Sequence, residues 1–164
     1  QAFALHLRSA LEKIGGWDES FITSQDSDLS MRLLKNGYTL YRTPLATVEM
    51  RRRSSLKSWY LMSHRYGFWR TKVLLRHPSR IVLREFFPLL GALVTLGLFL
   101  INIQWGLFPL MAYASVLTLS GVYASRKGIF HLLGVPLCLF ILHTAFTIGL
   151  IDGSIRKGRA PRDR

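Results

Sequence analysis

Two patterns of apolar and polar positions divide the chain near residue 84. Before it, apolar residues recur at helical or alternating spacing among many charges; after it they run almost unbroken. Arg8 to Ile14 is built from good helix formers, and Gly15-Gly16 stops it. Leu29, Leu33 and Leu34 stripe a second helix, capped by Ser24 or Asp26 and reaching about Asn36, with Gly37 just past its end. Three short apolar stretches, Ala2–Leu7, Tyr38–Tyr41 and Ala46–Met50, read as strands, the last two broken by Pro44. From Ser54 to Arg76, Trp59, Met62, Tyr66, Trp69 and Val73 recur at spacings of three and four, which predicts a long helix ended by His77-Pro78. Beyond Arg84 come three apolar runs, 86–103, 105–123 and 129–151, each long enough as helix to cross a hydrocarbon core.

The expected fold is therefore an α/β part over 1–50, a basic amphipathic interfacial region over 51–84, an all-α transmembrane region over 85–153 and a basic tail over 154–164. Charge agrees with that division. Residues 1–84 hold fifteen Lys/Arg against six Asp/Glu, whereas 85–125 hold Glu85 alone. The net charge of +13 could suggest nucleic acid, but the apolar half of the chain argues against it. Cations flanking apolar spans instead suit an anionic membrane surface. Cys138 stands alone in an apolar run, so no disulfide framework or cysteine metal site is expected.

The candidate chemistry lies in Gly15-Gly16-Trp17-Asp18-Glu19, followed by Asp26-Ser27-Asp28-Leu29-Ser30-Met31-Arg32-Leu33 and closed by Asn36-Gly37-Tyr38. This ordered series resembles the back half of family 2 glycosyltransferases, over roughly residues 1–80. Arg65-Tyr66-Gly67-Phe68-Trp69 is most similar to the membrane-bound exopolysaccharide branch, of the succinoglycan-synthesis type. The resemblance implies an inverting enzyme with a GT-A nucleotide-sugar-binding domain, of which this chain would be the C-terminal part. The donor-binding half, with its own Asp-x-Asp metal motif, is expected upstream of Gln1, so the fragment alone should be inactive.

In that family an acidic pair supplies the catalytic base, and its aspartate falls on Asp26, with Gln25 in place of the usual glutamate. A single displacement at the anomeric carbon needs one carboxylate to take the acceptor hydroxyl's proton. The alternative for Asp26 is helix capping, since an anion in the first turn is favoured by the helix dipole. Asp28 and Arg32, four apart, have the spacing of a supporting ion pair. Asp26 lies about 200° round the helix from Asp28 and faces elsewhere. Gly15, Gly16, Trp17, Asp18, Gln25, Arg53 and Arg65 are the expected substrate-binding residues. For Gly15 a plain helix C-cap is equally open, and the Arg51–Arg53 run suits either a lipid surface or the donor diphosphate.

The implied partners are a nucleotide-sugar, a lipid-linked or polysaccharide acceptor, and the membrane. No metal ligand is expected here; the divalent metal, Mg or Mn, would belong to the full-length enzyme. The expected location is the cell membrane, with the catalytic part cytoplasmic. A rival reading is a non-enzymatic multi-span membrane protein with a basic lipid- or partner-binding region. Orientation carries a conflict. Cations before Arg84 and the pair Arg126-Lys127 both belong on the cytoplasmic side, but three full crossings would put Arg156 and Lys157 outside.

Overall fold

The computed structural model describes residues 4–45, 47–50 and 54–157. The expectation for Arg53 lies outside the described residues. The helices, in chain order, are α1 (Arg8–Lys13), α2 (Gln25–Lys35), α3 (Leu56–Arg76), α4 (Phe87–Ile101), α5 (Ile103–Ser125) and α6 (His131–Ile155). Two short 3-10 turns, Pro78–Arg80 and Leu83–Phe86, lead from α3 into α4.

The α/β expectation is not met. The described residues contain no strand, and 4–7, 38–41 and 47–50 run as irregular backbone. No GT-A core is present among them. Strand-like composition becomes a strand only when a neighbour completes the hydrogen-bonded ladder. Among the described residues these segments have no such neighbour, and Tyr41 stands almost wholly exposed. The head of the molecule is instead two helices and their loops. Ala10 of α1 packs against Leu29 and Leu33 of α2, with Leu11, Ile14, Tyr38 and Leu40 around them. The loop between α1 and α2 drops Phe21 onto Phe68, Trp69 and Val73 of α3, which docks the head on the C-terminal half of that helix.

Local sequence explains the ends of these helices. Gly15 and Gly16 follow α1 at φ 76° and 68°, and Gly37 follows α2 at φ 80°. All three lie in the left-handed region that only glycine enters at little cost. Ser24 precedes α2 but makes no side-chain cap; it sits at φ 66° and bonds through its carbonyl to Ser27 and Asp28 N–H. Ser55 does cap α3, its Oγ accepting from Ser58 N–H at 3.2 Å.

α3 is packed along α6. Its buried face is Ser63, Gly67, Phe68, Trp69, Thr71 and Val73, while Tyr66 of the expected stripe is 47% exposed. The reason is steric. A Cβ on Gly67 would strike the Phe146 carbonyl, and one on Gly149 would strike the His64 carbonyl. Small residues let the two backbones touch, as in close helix pairs in membranes. Trp59 Nε1–H donates to the Cys138 carbonyl at 2.9 Å, and Thr71 Oγ1–H to the Leu150 carbonyl at 3.2 Å. Both contacts join residues 79 apart, so α3 and α6 run parallel and in register.

α5 and α6 pack antiparallel: Gly121 lies against the Leu132 carbonyl and Pro136, and Tyr113 Oη meets His143 Nδ1 at 2.9 Å. α4 turns into α5 at Asn102, whose side chain accepts from Gln104 N–H at 2.8 Å, and Phe99 covers Gly106. Three helices, spanning Leu83–Ile101, Ile103–Ser125 and His131–Ile155, are long and apolar enough to cross a membrane.

Candidate active site

The ordered motif folds into one corner of the head, built around a buried carboxylate. Asp28, in the first turn of α2, is 0% exposed. Its Oδ2 accepts from Arg32 Nε at 2.8 Å, the contact that a four-residue spacing on one helix face allows. Its Oδ1 accepts from His77 Nε2–H at 2.9 Å and lies 3.4 Å from Arg76 Nε. A carboxylate this deep is tolerable only because cations and hydrogen-bond donors surround it.

Arg32 extends the network to the glycine turn. Its two terminal nitrogens donate to the carbonyls of Ile14, at 2.9 Å, and Gly16, at 2.7 Å. The positive φ angles of Gly15 and Gly16 are what aim those carbonyls at the guanidinium. Beyond the turn, Asp18 accepts from Ser20 N–H at 2.8 Å and pairs with Arg76. Those hydrogen bonds, from Ser20 and then Arg76, hold its carboxyl well below the usual carboxylate range. The same pairing with Asp18 raises Arg76 further. Lys72 donates to the Ser20 carbonyl at 2.6 Å and lies over the Phe21 and Trp69 rings, at 4.5 and 5.1 Å from their centroids. Burial lowers its pKa, against the opposing pull of Asp18.

Gly15, Gly16, Asp18, Gln25, Asp28 and Arg32 thus share one corner, with Trp17 and Asp26 beside Gly16 and Gln25 in the chain. Trp17 is 46% exposed there, its indole meeting the His6 ring edge-on at 6.0 Å. Gln25 Nε2–H donates to the Phe21 carbonyl at 2.6 Å, so its amide fixes the loop before α2. Asp26 is half-buried on the first turn of α2, one position after Gln25. Arg65 is not part of this corner: it stands exposed on α3, about two turns before Lys72.

Sequence reasoning missed Lys72, Arg76 and His77. His77-Pro78 reads only as a helix end, and nothing local announces that the imidazole closes on a carboxylate 49 residues earlier. Asp26-Ser27-Asp28 has the bare spacing of a metal motif, but Asp28 is consumed by Arg32 and His77. Among the described residues no three His, Cys, Asp or Glu side chains gather as metal ligands. With both of its carboxylate oxygens so engaged, Asp28 is not offered to a metal.

Comparison with known proteins agrees with the motif. The model of the glycosyl transferase family group 2 matches residues 2–151. Succinoglycan biosynthesis protein ExoA of Rhizobium meliloti (strain 1021) is 31% identical over 121 residues, covering 73% of this chain and 37% of that protein. The pre-mycofactocin glycosyltransferase of Mycobacterium tuberculosis (strain ATCC 25618 / H37Rv) is 33% identical over 72 residues, 44% of this chain and 15% of the relative. A third relative, from Methanococcus voltae, is a dolichyl N-acetyl-alpha-D-glucosaminyl phosphate 3-beta-D-2,3-diacetamido-2,3-dideoxy-beta-D-glucuronosyltransferase. It is 27% identical over 142 residues, 85% of this chain and 42% of its own length. The chain therefore spans less than half the length of each of these proteins. No solved structure gives a significant match. By its motif series and by a family match across nearly its whole length, the chain is a family 2 glycosyltransferase sequence, similar to the exopolysaccharide branch.

Proposed function

We propose that this chain is the acceptor-side and membrane part of a glycosyltransferase that moves a sugar from a nucleotide-sugar to a lipid-linked or polysaccharide acceptor, with inversion. The observation that carries the reading is the division of labour between the two aspartates of α2. Asp28 is wholly buried between Arg32 and His77 and serves the fold. Asp26, half-buried on the same turn, is the carboxylate assigned to take the acceptor hydroxyl's proton as that oxygen attacks the anomeric carbon. The leaving nucleotide departs from the opposite face, so one base suffices.

The rest of the corner orients that base. Arg32 ties α2 to the Gly15-Gly16 turn, and Gln25 ties the first turn of α2 to the Phe21 loop. Trp17 offers a half-exposed indole against which a sugar ring stacks. The apolar helices hold the enzyme at a membrane, where a lipid-linked acceptor is presented. A divalent metal, Mg or Mn, remains the expectation for the full-length enzyme, where it would stabilise the leaving diphosphate.

Membranes carrying the full-length protein test the reaction class. Supplied with labelled nucleotide-sugars, they should place label in an organic-extractable or polymeric fraction, joined with the opposite anomeric configuration to the donor. Retention of the donor configuration would rule out the single displacement. No incorporation from any nucleotide-sugar, with the protein folded and membrane-bound, would favour the non-enzymatic rival.

A further inference from the structure

Three terminal apolar runs invite a count of three crossings, but the packing of α3 on α6 argues otherwise. We propose that only α4 and α5 cross the membrane, and that α6 slants back without reaching the far face. The C-terminal end of α6 then shares the head's side. The inference rests on the reading that this chain is membrane-bound.

The C-terminal end of α3 is fastened to the head three times: Lys72 to Ser20, Arg76 to Asp18, and His77 to Asp28. Its N-terminal end joins the head through the link after α2, which holds neither helix nor strand among its described residues. Backbone without internal hydrogen bonds does not pass through hydrocarbon. Both ends of α3 therefore lie on the head's side of the membrane. Lys57 and Arg65, exposed along its length, fit a place at the surface and not among lipid tails.

α6 follows the same path for much of its length. From Cys138 beside Trp59 to Leu150 beside Thr71, it runs parallel to α3 with backbones in contact at Gly67 and Gly149. His64 Nε2 lies 3.8 Å from Asp152 Oδ2 in the continuing seam. α6 leans on α5 from its first turns to its middle, through Gly121 against Pro136 and Tyr113 against His143. A helix sheathed by α3 as far as Leu150 stays with α3. α4 begins on the same side, since Glu85 just ahead of it holds Arg70 of α3 in a two-pronged ion pair at 2.6 and 2.5 Å.

Charge gives an independent argument. With α4 and α5 as the only crossings, the cations before α4, the pair Arg126-Lys127, and Arg156 with Lys157 all fall on one side. The opposite turn, Asn102 to Gln104, carries no charge. That is the distribution by which flanking cations set orientation, and it removes the conflict that three crossings create.

Thiol labelling in intact cells tests this in the full-length protein, with Cys138→Ala and any other cysteine removed. Single substitutions Gln104→Cys, Ser125→Cys, Ser154→Cys and Lys157→Cys are exposed to a membrane-impermeant maleimide before and after permeabilisation. Position 104 should label in intact cells, and 125, 154 and 157 only after the cells are opened. Reading 154 and 157 together prevents burial of one thiol from deciding the result. Labelling of 154 and 157 in intact cells would mean that α6 crosses, and would overturn the inference while leaving membrane attachment intact. Protection of 104 in intact cells with labelling after opening would mean that α4 and α5 do not cross; the inference would then fail together with the membrane reading.

Discussion

Asp28, Arg32 and His77 show what a single buried carboxylate asks of its surroundings. Removing one partner of a buried ion pair leaves the other charge uncompensated, at a cost of about 3–5 kcal/mol. Arg32→Ala should lose stability on that scale and also free the Ile14 and Gly16 carbonyls. His77→Ala should loosen the head from α3, which limited proteolysis between α2 and α3 would detect as faster cleavage. Asp18 adds a pH dependence. Its folded pKa lies below the unfolded one, so its contribution is complete at neutral pH and is lost as pH falls through the acid range. Head docking, followed by tryptophan fluorescence of Trp69 beside Phe21, should hold from pH 7 to about 4 and weaken below it. Asp18→Asn should flatten that dependence. At this scale the sequence was legible where partners are neighbours on one helix. Asp28 and Arg32 announce each other by spacing and meet at 2.8 Å. Lys72, Arg76 and His77 find partners some fifty residues away, and no local pattern encodes that.

At the scale of elements, helices were readable and strands were not. α1, α2 and α3 follow from helix formers, apolar spacing and glycine stops, all of which act within a few residues. The stretches 38–41 and 47–50 have strand-like residues but no ladder, because a strand depends on a partner that its own sequence does not contain. The large apolar residues of α3 mark its oily face, and Trp69 and Val73 among them are buried with Phe21. The seam with α6 itself forms where the side chains are small, at Gly67 and Thr71 of α3 and Gly149 and Gly153 of α6. Two glycine substitutions separate these ideas. Gly67→Ala drives a methyl into the Phe146 carbonyl and should destabilise by about 1–3 kcal/mol, read as a lower melting temperature in detergent. Gly97→Ala, where a Cβ meets nothing within 4 Å, should be neutral or slightly stabilising. Equal effects at the two positions would mean that the α3–α6 contact is not close in solution.

For the whole molecule, the apolar surface is the dominant fact. α4 has no buried residue, and Leu93, Val94, Leu96 and Leu100 are each more than half exposed. Water would not leave such a face open; a bilayer covers it without further partners. In the proposed reading α3 holds the small head beside that bilayer, with the half-buried Asp26 on the first turn of α2. The composition made the three long apolar helices plain, and the ordered motif made the family plain. The corner's geometry was not readable, because it depends on where α3 returns to the head. The central claim is that this corner transfers a sugar with Asp26 as the base. Transfer activity of the full-length protein should be compared with that of Asp26→Asn and Asp28→Asn, each scored for membrane insertion and for thermal stability. The account predicts that Asp26→Asn inserts and melts normally while losing at least about a hundredfold in rate, the scale of a missing general base. Asp28→Asn should instead lose stability. Near-normal transfer by a folded Asp26→Asn protein would contradict the account and leave Asp26 as a residue of the helix end.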